Sequence, residues 1–502
     1  MSTKNKLKFC TFLCLVMVGI DFNYAQADIP IERVPVPLAK PTIQSMTKNN
    51  SLLEKQNGTI ELSLSDAVFL GIRNNRTIKS AYINRVSEKF DLRVAEDRFT
   101  PQFSIDGSLS RQRIAGVHTN QFDISPGVTM LTPLGTSFDF AWNMSQSNSE
   151  GSKQSNNTLD LSINQPLLRG AGYNVNIAPV RTAQLQEKIN KLRLKTTVSE
   201  TIGTIILAHR DLLQAQEELR LANEAVIRGQ ETLKQNQTLI NAGRMAEMDA
   251  VQTEADLENQ KLRVLQAQQS LQDKRLTLLD LLNLDFSTPI VAKETFTLKR
   301  ININIPYLYE TALKNREDYQ GQLYVIEQNK LGITVAKNEQ LWDISLFAQG
   351  TYGKEKQSGY SDTQVRDGTF GIRFSIPLND LNRKQQLVQA DTSFKSAELQ
   401  LDIIKSGVER QIRTSGQEVE IYWQQAKVAE TSLDLARRAL DVEKSKLSAG
   451  RSSTFEVRSM EQNLRDAETQ LVNAKINYLN ALTRLDLQLG TTLDTWQITL
   501  ND

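Results

Sequence analysis

Residues able to do chemistry are few in this chain, and they are scattered. It has two histidines, His118 and His209. The first falls in a stretch read as a loop and the second on a helical seam, so neither has the three or four clustered ligands that a metal centre needs. Cys10 and Cys14 are the two cysteines, and no zinc spacing, nucleotide loop or catalytic triad signature appears on a supporting element. Carboxylates do recur at a fixed place. Asp249 stands six residues past Gly243 and Glu456 six residues past Gly450, and each glycine lies within Ala-Gly-Arg (Ala242-Gly243-Arg244 and Ala449-Gly450-Arg451). No catalytic cluster sits beside either copy. The chain therefore reads as a non-enzyme without cofactor or metal, and the repetition has to be explained by architecture.

The elements that carry these residues begin with an export segment over residues 1–27. Lys4, Lys6 and Lys8 form a basic head, Phe9 to Ile20 an apolar run, and Ala25-Gln26-Ala27 a small-x-small cleavage site. The run is too short to span a bilayer, which takes about 20 residues. Both cysteines leave with this segment, and Thr11-Phe12-Leu13 before Cys14 lacks the small residue expected ahead of a lipid-modified cysteine. Residues 28–60, with Pro30, Pro35, Pro37 and Pro41, read as an extended tether. A net charge of +1 with interspersed signs gives no basic footprint for nucleic acid. No other segment approaches the 18 or so apolar residues of a spanning helix, so entry into a membrane requires strands closed into a barrel.

The rest reads as two copies of one plan, over 61–290 and 305–490, joined by a linker at 291–304. A helical block from Leu62 to Arg98, interrupted at Asn74-Asn75, has a counterpart that begins after Pro306 and runs through Asn315 to Gln340. Alternating segments follow: 103–113 and 157–165 in the first copy, 344–352 and 369–376 in the second. The first copy adds a pair. Phe122, Ile124, Val128 and Met130 lie on one face and Phe138, Phe140, Trp142 and Met144 on another, with a tight turn at Thr132-Pro133-Leu134-Gly135. Then come the longest helices. Prolines are absent between Pro179 and Pro289 and after Pro377, and a helix from Asn176 to Ala242 is about 100 Å long. Leu464, Ala467, Leu471, Ala474, Tyr478, Ala481 and Leu485 step by three and four, as do Val198, Ile202, Ile205, His209, Leu212, Gln216 and Leu219. Leu257, Val264, Leu271 and Leu278 repeat the large positions 207 residues before the last helix. Residues 491–502 form a tail.

Helix, strand pair, long helix, break and long helix, given twice, resembles the TolC family of outer-membrane efflux and secretion channels. SAGRSSTFEVRSMEQNL and NAKINYLNALTRLDLQLGT carry the likeness most clearly. The resemblance implies an α+β fold in which a homotrimer builds one outer-membrane β-barrel, continued by a long periplasmic α-helical coiled-coil barrel from two internal repeats. It implies a passive conduit in tripartite efflux or type I secretion, partnered by a periplasmic adaptor and an inner-membrane pump and seated in outer-membrane lipid. Four strands per chain, hence twelve per trimer, are the family's pattern. The extra pair at 122–144 either extends outside as a hairpin, the preferred reading, or joins the wall and raises the count to eighteen. An exported coiled-coil scaffold without a pore is the competing reading, and six alternating apolar-faced segments speak against it. A diffusion porin would be nearly all strand.

The resemblance also assigns roles at the breaks. Ala242, Gly243, Arg244, Ala449, Gly450 and Arg451 become the periplasmic tips that meet the adaptor. Glu456 becomes the main acid of a pore constriction, whose usual second acid is replaced here by Ser459. Asp249 takes the place of an acid that accepts from a neighbouring helix, with Arg451 as donor, although Ser452 and Leu447 stand where the family has arginine and tyrosine; the alternative reading makes both acids solvated helix N-terminal residues favoured by the macrodipole. Drug, metal or protein cargo stays open.

Overall fold

The computed structural model describes residues 55–56, 59–114, 116–149, 152–243, 247–294 and 298–500. The export segment, most of the tether and Arg244 lie outside them. A short pair, β1 (Lys55–Gln56) and β2 (Thr59–Ser63), opens the described chain, so β2 begins where the tether was expected to end. Ser63 caps α1 (Leu64–Asn74) by accepting from the Asp66 amide. Asn75 then separates α1 from α2 (Arg76–Glu96): its Oδ1 accepts from the Thr77 and Ile78 amides while its Nδ2 donates to the Leu281 carbonyl at 2.8 Å. Four strands follow, β3 (Gln102–Ile114), β4 (Val117–Leu131), β5 (Ser137–Ser149) and β6 (Ser152–Pro166), then the helices α3 (Ala178–Asn241) and α4 (Glu247–Leu281). After β7 (Ile290–Lys293) the second copy supplies α5 (Ile305–Asn315), α6 (Glu317–Glu339), β8 (Asp343–Gln357), β9 (Thr363–Ser375), α7 (Leu381–Ser448) and α8 (Thr454–Leu489).

The 64 residues of α3 and the 68 of α7 make each about 100 Å long. No neighbour matches that length, so each long helix is covered in two stages. Nearer the sheet the packing order is α2, α3, α6, α7; toward the breaks it is α4, α3, α8, α7. Seam residues Val198, Ile202, Ile205, Leu212, Leu464, Ala467, Tyr478, Ala481 and Leu485 are buried, as their spacing predicts. The end of α4 meets α1 and α3 in an apolar core. There β2 pairs parallel with β7, and Ile60, Leu62, Leu70, Ile205, Leu278 and Leu282 pack together. The matching cluster in the second copy centres on Ile412, Val419, Tyr478 and Leu485.

All six long strands form one antiparallel sheet in the order β3, β4, β5, β6, β8, β9. The reading of the extra pair as a projecting hairpin is therefore corrected. β4 is registered on β3 from Ile114↔Val117 to Gln102↔Thr129, and β5 is registered on β6 along its full length. The physical reason is the alternation itself, since β4 and β5 present apolar side chains in phase with those of β3 and β6. The reading of His118 as a loop residue is also corrected; it lies in β4 opposite Arg113. No helix among the described residues is long and apolar enough to cross a membrane.

His209 is fully buried on its seam. Its Nε2 donates to the Leu62 carbonyl at 2.9 Å, which ties α3 to β2, and burial holds the imidazole pKa below its ordinary value, opposed by that bond and by Glu294. Replacing His209 with Leu strands the carbonyl and should cost about 1–3 kcal/mol, read as a lower melting temperature of the purified protein. The unfolded chain takes up the proton first, so the histidine's contribution is complete above a pH of about 6.5 and declines as pH falls below it. His209→Gln, which cannot titrate, should flatten that acid limb.

Candidate functional site

Both helix breaks are built by a glycine in the left-handed region, with φ of +66° at Gly243 and +73° at Gly450. At the second break the Gly450 amide donates to the Leu447 carbonyl and the Arg451 amide to the Lys446 carbonyl. This is the paired closure that satisfies orphan carbonyls at a helix end. At the first, the Gly243 amide donates to Ile240 at 2.9 Å. A β-carbon at either glycine would meet nothing within 4 Å, so only the backbone conformation demands glycine. Ala242, Gly243, Ala449, Gly450 and Arg451 are all exposed.

Glu456 sits in the first turn of α8, where its amide donates to the Ser453 hydroxyl at 3.3 Å, and its side chain is exposed. A carboxylate there suits the positive end of the helix dipole. Ser459 is half-buried one turn further, on a cleft shared with Thr253, Asp256 and Phe455. The side chain of Asp249 lies outside the described residues. Ser452 donates to Glu443 across the break, and together with Lys446 it holds that carboxyl below the usual carboxylate range. Leu447 packs against the cluster of Val457 and Leu464.

Sequence reasoning missed the charged ties between the two hairpins. Arg458 of α8 bridges Asp256 of α4 at 2.8 Å, and Arg228 of α3 bridges Glu468 at 3.0 Å. Glu461 accepts from Thr232 at 3.1 Å and faces Lys444 at 3.4 Å. Glu461 and Glu468 are buried, so losing a partner would leave an uncompensated charge. Their signal was present in the spacing: both continue the seam steps through Leu464 and Leu471.

The sheet has two unlike faces. Through the register, Phe103, Ile105 and Leu109 join Phe122 to Met130, Phe138 to Met144, Leu159 to Ile163, Ile344 to Tyr352 and Phe370 to Phe374 on one apolar face. The other is polar and acidic, with Asp106, Asp123, Asp139, Asp160, Glu355 and Asp367 against Arg373. Asp160 accepts from Asn143 at 2.6 Å and from Thr351 at 2.5 Å. The sheet ends at β3 and β9, each with one unpaired edge.

The helix layer ends in the same way. On α7, Ile421, Val428, Leu435 and Val442 repeat every seventh residue, and each is more than half exposed. At the opposite margins Ile83, Phe90 and Val94 of α2, and Met248, Val251, Leu262 and Leu265 of α4, are equally open.

The model of the outer membrane efflux protein family matches residues 71–284 and 308–491. The chain belongs to that family. The two matched blocks of this efflux-family chain coincide with its two structural copies. By sequence, no curated protein matches it. By fold it is similar to the Campylobacter jejuni CmeC outer membrane channel, with 18% identity, a TM-score of 0.66 and 90% of this chain and 94% of that one covered. It is also similar to the Vibrio cholerae outer membrane protein VceC, with 14% identity, a TM-score of 0.64 and 85% and 96% covered. The open state of the Neisseria gonorrhoeae MtrE outer membrane channel gives 15% identity, a TM-score of 0.63 and 90% and 96% covered.

Because Gly450 is required by conformation and not by space, Gly450→Ala should destabilise the break locally by about 1 kcal/mol. Amide exchange at position 450 and at Arg451 should speed up several-fold while the melting temperature stays unchanged.

Proposed function

We propose that three copies of this chain form the outer-membrane channel of a tripartite efflux system. The channel conducts cargo passively from an inner-membrane pump, through a periplasmic adaptor, to the cell exterior. One observation carries the reading: sheet and helix layer are both open at the same two margins, and the open helix margins bear apolar stripes at heptad spacing. Further copies of the chain satisfy both at once. β3 of one copy and β9 of the next run antiparallel, as a closed outer-membrane wall requires, while α7 meets α2 and α4 of its neighbour. The apolar sheet face then meets lipid and the polar face lines the passage. The nine residues from Phe122 to Met130 on β4 suffice to cross a bilayer when tilted, since a spanning strand takes about 9–11. Helices and breaks lie in the periplasm. A soluble scaffold would leave the apolar sheet face in water, where so large a patch is a liability. Nothing in the site calls for catalysis, a cofactor or nucleic acid. Membrane fractionation followed by negative-stain imaging tests the reading: an elongated threefold particle from the outer membrane is expected, and a soluble monomer or dimer would overturn it.

In this reading the two breaks are the tips that meet the adaptor. Bulky replacements at Gly243 and Gly450 together should abolish transport while trimers still reach the outer membrane, measured by cargo export and by gel mobility of the unheated protein.

Glu456 is the acid proposed to ring the periplasmic mouth, with Ser459, Asp249 and Arg451 around it. Three carboxylates gathered at a narrow point favour cations, but the acidic face of the sheet favours them too. The sidedness of the effect separates the two. Glu456→Gln should weaken block by divalent cations added on the periplasmic side of a planar bilayer and leave block from the outer side unchanged.

A further inference from the structure

We infer that the wall of this channel carries eighteen strands, six from each chain, and that its bore is as wide as the helical tunnel beneath it. The inference rests on the trimeric reading above and departs from the twelve strands that the family resemblance implied.

Three observations place β4 and β5 in the wall. The sheet is continuous, with both strands paired on each side. Their apolar side chains lie on the same face as those of the other four strands: Val128 stands between Phe103 and Phe140, and Phe140 stands opposite Leu161. A hairpin projecting into water would have no use for Phe138, Phe140 and Trp142 in that phase. The third observation is the turn between them. Thr132 to Gly135 returns to the helix-facing end of the sheet, where the Gly172 amide donates to the Leu134 carbonyl at 3.1 Å. Gly135 has a φ of +95°, and a β-carbon there would come within 2.3 Å of the Gly170 carbonyl oxygen. The turn is thus seated on the connection from β6 to α3, at the base of the wall and not beyond its outer rim.

The dimensions agree. Strands about 4.8 Å apart and tilted by about 40° give a wall about 36 Å across for eighteen strands and about 24 Å for twelve. Four helices per chain pack in the layer next to the sheet. Twelve helices about 9 Å apart enclose a ring about 34 Å across. Eighteen strands therefore continue the helical tunnel without narrowing. Allowing about 5 Å for side chains on the inner face, the open bore is about 26 Å instead of about 14 Å. The barrel then sets no size limit on cargo; the limit lies at the periplasmic mouth.

Trp142 lies on the apolar face of β5, and its emission tests the placement in trimers reconstituted with lipids brominated on their acyl chains. Bromolipid should quench a component of the emission that is missing from Trp142→Phe trimers, and aqueous acrylamide should leave that component largely unquenched. The reverse pattern in threefold particles would overturn the eighteen-strand wall while leaving the channel reading intact; failure to find threefold particles would sink the channel reading instead. Deleting residues 117–149 removes β4 and β5 and leaves β3 and β6 antiparallel and in phase. Labelling of Ser162→Cys trimers on the polar face of β6 by maleimide polymers of graded size, added from outside, should then show a clearly lower size cut-off than in the full-length Ser162→Cys protein. An unchanged cut-off in assembled trimers would overturn the inference, and if the deletion does not assemble, the Trp142 measurement decides alone.

Discussion

A strand edge cannot face hydrocarbon, because its free N–H and C=O groups find no partner there and each costs several kcal/mol. The six-stranded sheet of this chain ends in two such edges, at β3 and β9, and carries an apolar face suited to lipid. In the proposed trimer these edges are where the sheets of neighbouring copies join. The edges lie at the same margins as the exposed stripes of α2, α4 and α7. Under the proposed assembly, closing the sheet and covering these helix stripes would be one event.

Within the chain the helices are held by a different balance. Apolar residues fill the seams near the middle, around Leu212, Leu278, Ile412 and Tyr478. Toward the breaks Leu433, Leu440, Val457 and Leu464 pack within the second hairpin, while the ties between the two hairpins are charged, through Arg228 with Glu468 and Arg458 with Asp256. Buried acids tolerate few arrangements, since each must keep its cation or hydroxyl donor. These pairs join α8 to α3 and to α4 across the two hairpins. The glycine turns at the breaks add no packing and contribute geometry alone.

Much of this was legible in the residues. Proline placement and seam spacing gave the long helices, the asparagine pair gave the junction of α1 and α2, and alternation gave the strands to within a few residues at most ends. The parallel pairing of β2 with β7 was not legible, because five residues of β2 and four of β7 are too short for a period to show. The tie from His209 to the Leu62 carbonyl was equally hidden, since its two ends lie 147 residues apart. At the candidate mouth the sequence marked Glu456 and the two glycines. It could not separate a pore acid from a first-turn acid, because both occupy the same helical position.

The sequence by itself determined which segments are helix or strand, which face of each is apolar, and that the plan occurs twice. Those properties are local: they depend on residue spacing of two or of three to four, and on proline, glycine and capping side chains. Only the tertiary structure decided where the strands stand. Alternation tells a strand which of its sides is apolar, but it does not tell which strand will be its neighbour, and that choice moved β4 and β5 from an expected projection into the body of the sheet. It also decided which acids are buried and paired and which stay free on a polar face, because burial is a property of the neighbours and not of the residue.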